Sequence, residues 1–192
     1  MMLSSGISKL LVNTSYRRFC SGLFRGGQTN RNQDGCFDMN AQEKKAVNDI
    51  EVNGCHILHV MEDEGEPCFS YSIGINKKQS HADVVILGLQ HDTTHCLIND
   101  YKNRLQAGER FEPGHYYSDF IDGFDVCFVE VDKQYFENYF GWGIWLHKGN
   151  DFRMLQMVWP NSEGAWPWDP ESIEEFRSTQ PVLNKAVEIT SV

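Results

Sequence analysis

Apolar residues along this chain fall into short runs separated by turn residues, with two longer stretches at helical spacing. Between Asn40 and Gly54, Ala46, Val47 and Ile50 make one apolar stripe. Asn40 followed three residues later by Glu43 predicts a capping box at its start, and Gly54 ends it. His56 to Met61 and Cys68 to Ile75 read as two strands joined by the hairpin loop Asp63-Glu64-Gly65-Glu66-Pro67. Along the second, Phe69, Tyr71, Ile73 and Ile75 face one way while Cys68, Ser70, Ser72 and Gly74 face the other. Val84 to Leu87 is apolar without alternation, which predicts a third strand buried on both faces. Asp92 to Gln106 follows with Leu97, Ile98, Tyr101 and Leu105 at helical spacing, Asp92 or a neighbouring Thr available as cap, and Gly108 just beyond. Tyr116 to Ile121 and Asp125 to Val131 read as strands around the turn Asp122-Gly123, Lys133 to Phe140 as a short aromatic helix, and Phe152 to Trp159 as a last strand. Strands that pair locally among few helices predict a single α+β domain, a mainly antiparallel sheet with two or three short helices.

Charge divides the chain. Residues 1–33 hold Lys9, Arg17, Arg18, Arg25 and Arg31 and no acid, so a formal total of −10 leaves −15 for residues 34–192. An acidic folded part argues against nucleic acid as partner. The basic segment, rich in Arg and Ser, has the composition of a transit peptide, and Arg17-Arg18-Phe19-Cys20-Ser21 resembles a mitochondrial processing site. The apolar run Ile7 to Val12, interrupted by Lys9, is short for a secretory signal, and nothing approaches a membrane span. The expected organisation is a basic leader at 1–33, a flexible linker at 34–40, a globular domain at 41–170 and a fraying tail at 171–192. The expected location is the mitochondrial matrix, with the cytoplasm as the alternative. Six cysteines, none within a C-x-x-C pair, suit a reducing compartment and structural thiols.

Three stretches carry a resemblance. They are Phe69-Ser70-Tyr71-Ser72-Ile73-Gly74-Ile75, then His81-Ala82-Asp83-Val84-Val85-Ile86-Leu87-Gly88-Leu89, and Gln156-Met157-Val158-Trp159-Pro160 running on to Trp166-Pro167-Trp168-Asp169. With Gly108 to Gly114 matching a Gly-x-x-Phe-x-Pro-Gly turn, the chain resembles the family catalogued as domain of unknown function 4262 over roughly residues 50–170. Ala82 stands where that family often has Pro. The resemblance implies no catalytic residue and no cofactor.

The candidate chemistry is aromatic and small-polar. All five tryptophans lie between 142 and 168. The loop after Trp159 presents Trp166, Trp168 and Asp169, which could surround a ligand with stacking faces and indole donors or, instead, plug the sheet. Ser70 and Ser72 could line the same cleft beside Tyr71 and His81, or face water. The expected function is therefore binding of a small molecule or peptide in an aromatic-walled pocket, with an enzyme of unassigned type left open. The alternatives are a protein interaction module and a flavin-using split barrel. For metals, His56 and His59 should point to opposite strand faces, and His91 and His95 share a helix side with no third ligand evident. His81 or His115 could join them only through tertiary contact, so no metal site is expected. No G-x-S-x-G elbow, phosphate loop, H-E-x-x-H or calcium loop occurs, and Gly141-Trp142-Gly143 lacks the strand context of a dinucleotide turn.

Overall fold

A computed structural model describes residues 39–63, 66–79 and 81–185, without the side chains of 78 and 79. The expected leader at 1–33 and most of the linker lie outside the described residues. Helix α1, Ala41–Asn53, starts at the predicted capping box: the Asn40 side chain accepts from the backbone N–H of Gln42 and Glu43, and Glu43 accepts from the N–H of Asn40. Gly54 ends it with φ 88°, donating to the Ile50 carbonyl.

Strands β1 (His56–Val60) and β2 (Phe69–Ile73) form the expected antiparallel hairpin, with Leu58 opposite Tyr71 and His59 opposite Ser70. A short helix α2, Ile75–Gln79, leads to β3, Asp83–Leu87, which is buried on both faces as its unbroken apolar run predicts. Helix α3, His91–Gln106, crosses the sheet, and β4 (Tyr116–Ile121) turns into β5 (Phe124–Glu130). A 3₁₀ turn at Lys133–Tyr135, helices α4 (Phe136–Tyr139) and α5 (Gly141–His147), strand β6 (Met154–Val158) and helix α6 (Glu174–Thr179) complete the order. No helix among the described residues is long and apolar enough to cross a membrane.

The fold is α+β, with two corrections. The six strands run in the order β1-β2-β3-β6-β5-β4, and β3 pairs with β6 in parallel, so the sheet is mixed though mostly antiparallel. Helices number six rather than two or three among the described residues. The aromatic stretch 133–147 supplies two of them, because Phe140, at φ −122° and ψ 44°, breaks one helix and begins the next. The expected side-chain cap on α3 is also absent: Gln90 precedes the helix without one, and the Thr94 hydroxyl donates back to the His91 carbonyl.

Strand register decides which residues meet. On one face Val84, Ile86, Phe128, Leu155 and Met157 pack under Leu97, Ile98, Tyr101 and Leu105 of α3. Phe111, from the turn between Gly108 and Gly114, joins them against Tyr101 and Phe128. On the other face Phe69 and Tyr71 pack against Tyr139 and Phe140. There Cys127, Val129 and Val158 lie under Trp166, Trp168 and Val182. The tail expected to fray is instead tied down through Leu183. Gln180 exchanges two hydrogen bonds with the backbone of Trp159, at 2.9 and 2.7 Å. Buried Gln156 donates to the Pro181 carbonyl and accepts from the Leu183 N–H.

Candidate functional site

The residues singled out by sequence do not converge. Ser70 and Ser72 are fully buried toward α3, so neither faces water nor lines an open cleft. Trp166 and Trp168 stack on each other at 5.2 Å and lie on the opposite face of the sheet. Tyr71 shares that second face but packs on Phe140. Asp169 accepts from the backbone N–H of Trp166 within its own turn, and the Trp159 indole donates to the Leu87 carbonyl. His81 precedes β3, its imidazole held below the usual range by burial and then by Arg110. The aromatic segment therefore packs as a cover on the sheet rather than as a wall facing the serines.

Ser72 has a definite structural partner. Asp83, 1% exposed, accepts from the Ser72 hydroxyl at 3.0 Å and from the backbone N–H groups of Gly74 and Ile75 at 3.3 and 3.0 Å. A carboxylate from β3 thus satisfies the otherwise orphaned donors at the start of α2. Burial pushes its pKa up to about 7 against those bonds.

A polar groove of about 430 Å³ opens between α1, the start of β1 and α3. α3 presents His95, Asn99 and Lys102 to it, four and three residues apart and so on one side of the helix. α1 contributes Lys45, Asp49 and Asn53, and Cys55 and His56 close the floor. Asp49 bridges Lys45 and the His56 Nδ1, the latter at 2.7 Å, and Lys45 and then His56 hold its carboxyl below the usual range against partial desolvation. Because a carboxylate only accepts, His56 donates to it from a protonated Nδ1. Lys102 is 9% exposed, and its ammonium donates to Asn99 Oδ1 at 3.1 Å; no carboxylate among the described residues pairs with it. Burial pushes the Cys55 thiol up to about 11, so it is protonated and not a nucleophile.

Three imidazoles gather at the groove's rim. His59 on β1 hydrogen-bonds Ser70 through Nδ1 at 2.7 Å, and its ring lies 4.9 Å from that of His91 and 5.6 Å from that of His95. Burial first, then His91 and His95, lower its pKa. No group of three or more His, Cys, Asp and Glu that could hold a metal ion occurs among the described residues, and the four described cysteines are free thiols.

A family model described as Domain of unknown function (DUF4262) matches residues 49–172, more than half of the chain. The chain belongs to that family. No curated protein and no solved structure matches it. The DUF4262 span takes in the Ser72, Gly74 and Asp83 turn and most of the groove, including Asp49, His56 and Lys102, but not Lys45 or α6. Two family-like motifs are thereby explained as one buried construction, in which the serine and glycine of the first meet the aspartate of the second. Of the groove residues the sequence reading weighed His56 and His95, as metal ligands, while Lys45, Asp49, Asn99 and Lys102 escaped it. Their one visible signal was the polar series His95, Asn99 and Lys102 along an otherwise amphipathic helix.

Proposed function

We propose that this domain binds a small molecule bearing a carboxylate or phosphate, in the groove between α1, β1 and α3. Lys102 is the observation that carries the reading. Its stem is largely buried, its ammonium is aimed into the groove, and the hydrogen-bond partner it has among the described residues is a neutral amide, so a bound anion would supply the missing countercharge. Asp49 does not compete for it, being engaged by Lys45 and His56. The groove's size falls within the roughly 300–1,000 Å³ of small-molecule sites. His56 Nε2 and the Asn99 amide add polar groups that could select the rest of the ligand. Ligand binding is retained from the sequence reading, and its site moves away from the tryptophans, whose rings and Ser70 and Ser72 occupy opposite faces. The split-barrel alternative draws no support from a sheet whose end strands, β1 and β4, lie at opposite edges.

The test is a thermal-shift titration with citrate and with inorganic phosphate. At a hundredfold excess over Kd, an anion that binds the folded chain should raise Tm by about 5 °C or more. Lys102→Met, which keeps the apolar stem, should lose the shift. An equal shift in both proteins, or none in either, would overturn the reading.

A further inference from the structure

The imidazoles at the rim point to a second ligand, of different chemistry from the first. Thr94 has one hydroxyl proton and gives it to the His91 carbonyl at 2.9 Å. Its oxygen lies 2.7 Å from that of Ser70, so the Ser70 proton runs to Thr94. Ser70 therefore accepts from His59, whose Nδ1 lies 2.7 Å away and must carry a proton. This buried chain of two hydroxyls fixes the tautomer of neutral His59, leaving Nε2 as a bare lone pair. Such an arrangement, one ring nitrogen donating to the protein and the other free, is how ligating histidines are held.

A second imidazole nitrogen lies beside the free one. His59 Nε2 lies 3.4 Å from His95 Nδ1, beyond the usual 2.7–3.2 Å of a good hydrogen bond. Two nitrogens each about 2.05 Å from a tetrahedral ion lie about 3.3 Å apart. We propose that His59 Nε2 and His95 Nδ1 together ligate a divalent transition-metal ion such as zinc, with solvent completing its coordination. Imidazole suits zinc, copper and nickel, and both rings are exposed enough to admit an ion. His91 stands apart as a ligand: its Nε2 faces the Val60 carbonyl at 3.4 Å while its ring packs beside that of His59. With two protein ligands the site is open, and because His95 also lines the groove the ion would sit at its edge. The inference does not rest on anion binding at Lys102.

Isothermal titration of the full chain with zinc chloride tests it. One equivalent should bind, His59→Gln and His95→Gln should each weaken Kd at least about tenfold, and Ser70→Ala should weaken it by about 10–100-fold with both ligands still present. Lys102→Met and Cys96→Ser should bind zinc as the unaltered chain does, which separates this site from the anion site and from Cys96, the exposed thiol among the described residues. Absence of zinc binding, or unchanged affinity in both His59→Gln and His95→Gln, would overturn the proposal. These two side chains are at the surface, so their variants should fold.

Discussion

At Asp83, burial and hydrogen bonding act against each other. The partners of Asp83 donate to both of its oxygens, which can accept even when the carboxyl is protonated, so Asp83→Asn replaces one acceptor by a donor-only N–H₂ and leaves a backbone N–H at the start of α2 unsatisfied. We expect a loss of about 2 kcal/mol or more near pH 5 in urea unfolding. The pH dependence has a definite sign. The folded-state pKa, about 7, lies above the unfolded value, so between roughly pH 4 and pH 7 the folded chain holds a proton that the unfolded chain releases. The contribution of Asp83 is therefore full below that window and declines as pH rises through it, and the gap between the two proteins should narrow by pH 7.5, roughly the upper end of that window. Parallel or widening stabilities would contradict it. Gly74 is the second fixed point, with φ 101° and an added Cβ falling 2.6 Å from the Ile50 side chain. Gly74→Ala should cost at least about 2 kcal/mol, through backbone strain and overpacking against α1. The alternation of Phe69, Tyr71 and Ile73 with Ser70 and Ser72 was legible from the pattern alone. What the serines face was not, because a hydroxyl against solvent and one against Thr94 or Asp83 look alike in sequence.

Among the elements, those with strong local signals stood where the pattern put them: α1 with its capping box, the β1–β2 hairpin, buried β3 and the long α3. The missed helices are short, five to seven residues, and owe their form to tertiary contacts such as the Asp83 cap on α2. The β3–β6 pairing was missed for a related reason, since it joins strands separated by more than sixty residues and no local turn announces it. The tail shows the same limit. Its apolar periodicity is weak, yet Phe176 packs on Trp159, and two glutamines, Gln156 and Gln180, clamp it to β6. Deleting residues 171–192 should expose the Gln156 amide and the ring of Trp159 and cost about 3 kcal/mol or more. A urea midpoint matching that of the full chain would contradict this account of the tail.

For the whole molecule, charge sets two expectations on different scales. We propose that residues 1–33, with five basic residues and no acid, direct the chain to the mitochondrial matrix, drawn by a membrane potential worth about 2.3 kcal/mol per charge per 100 mV. A fluorescent protein carrying these residues should colocalise with mitochondria in a eukaryotic cell, and a diffuse cytosolic signal would contradict that. The second expectation concerns Lys102, a buried cation without a carboxylate partner among the described residues, which an otherwise acidic domain turns toward a groove. Composition could not reveal it: Lys102 is one of 17 basic residues, and its meaning comes from burial and from the absence of a neighbouring carboxylate among the described residues. Nor could the pairing of Asp49 with His56, which depends on how Gly54 turns α1 back along β1. The most direct measurement is nuclear magnetic resonance mapping of the isotope-labelled chain during titration with citrate. The account predicts saturable shifts at Asp49, His56, Asn99 and Lys102, lost in Lys102→Met. Shifts centred instead on Trp166 and Trp168, or no saturable shift at all, would contradict it.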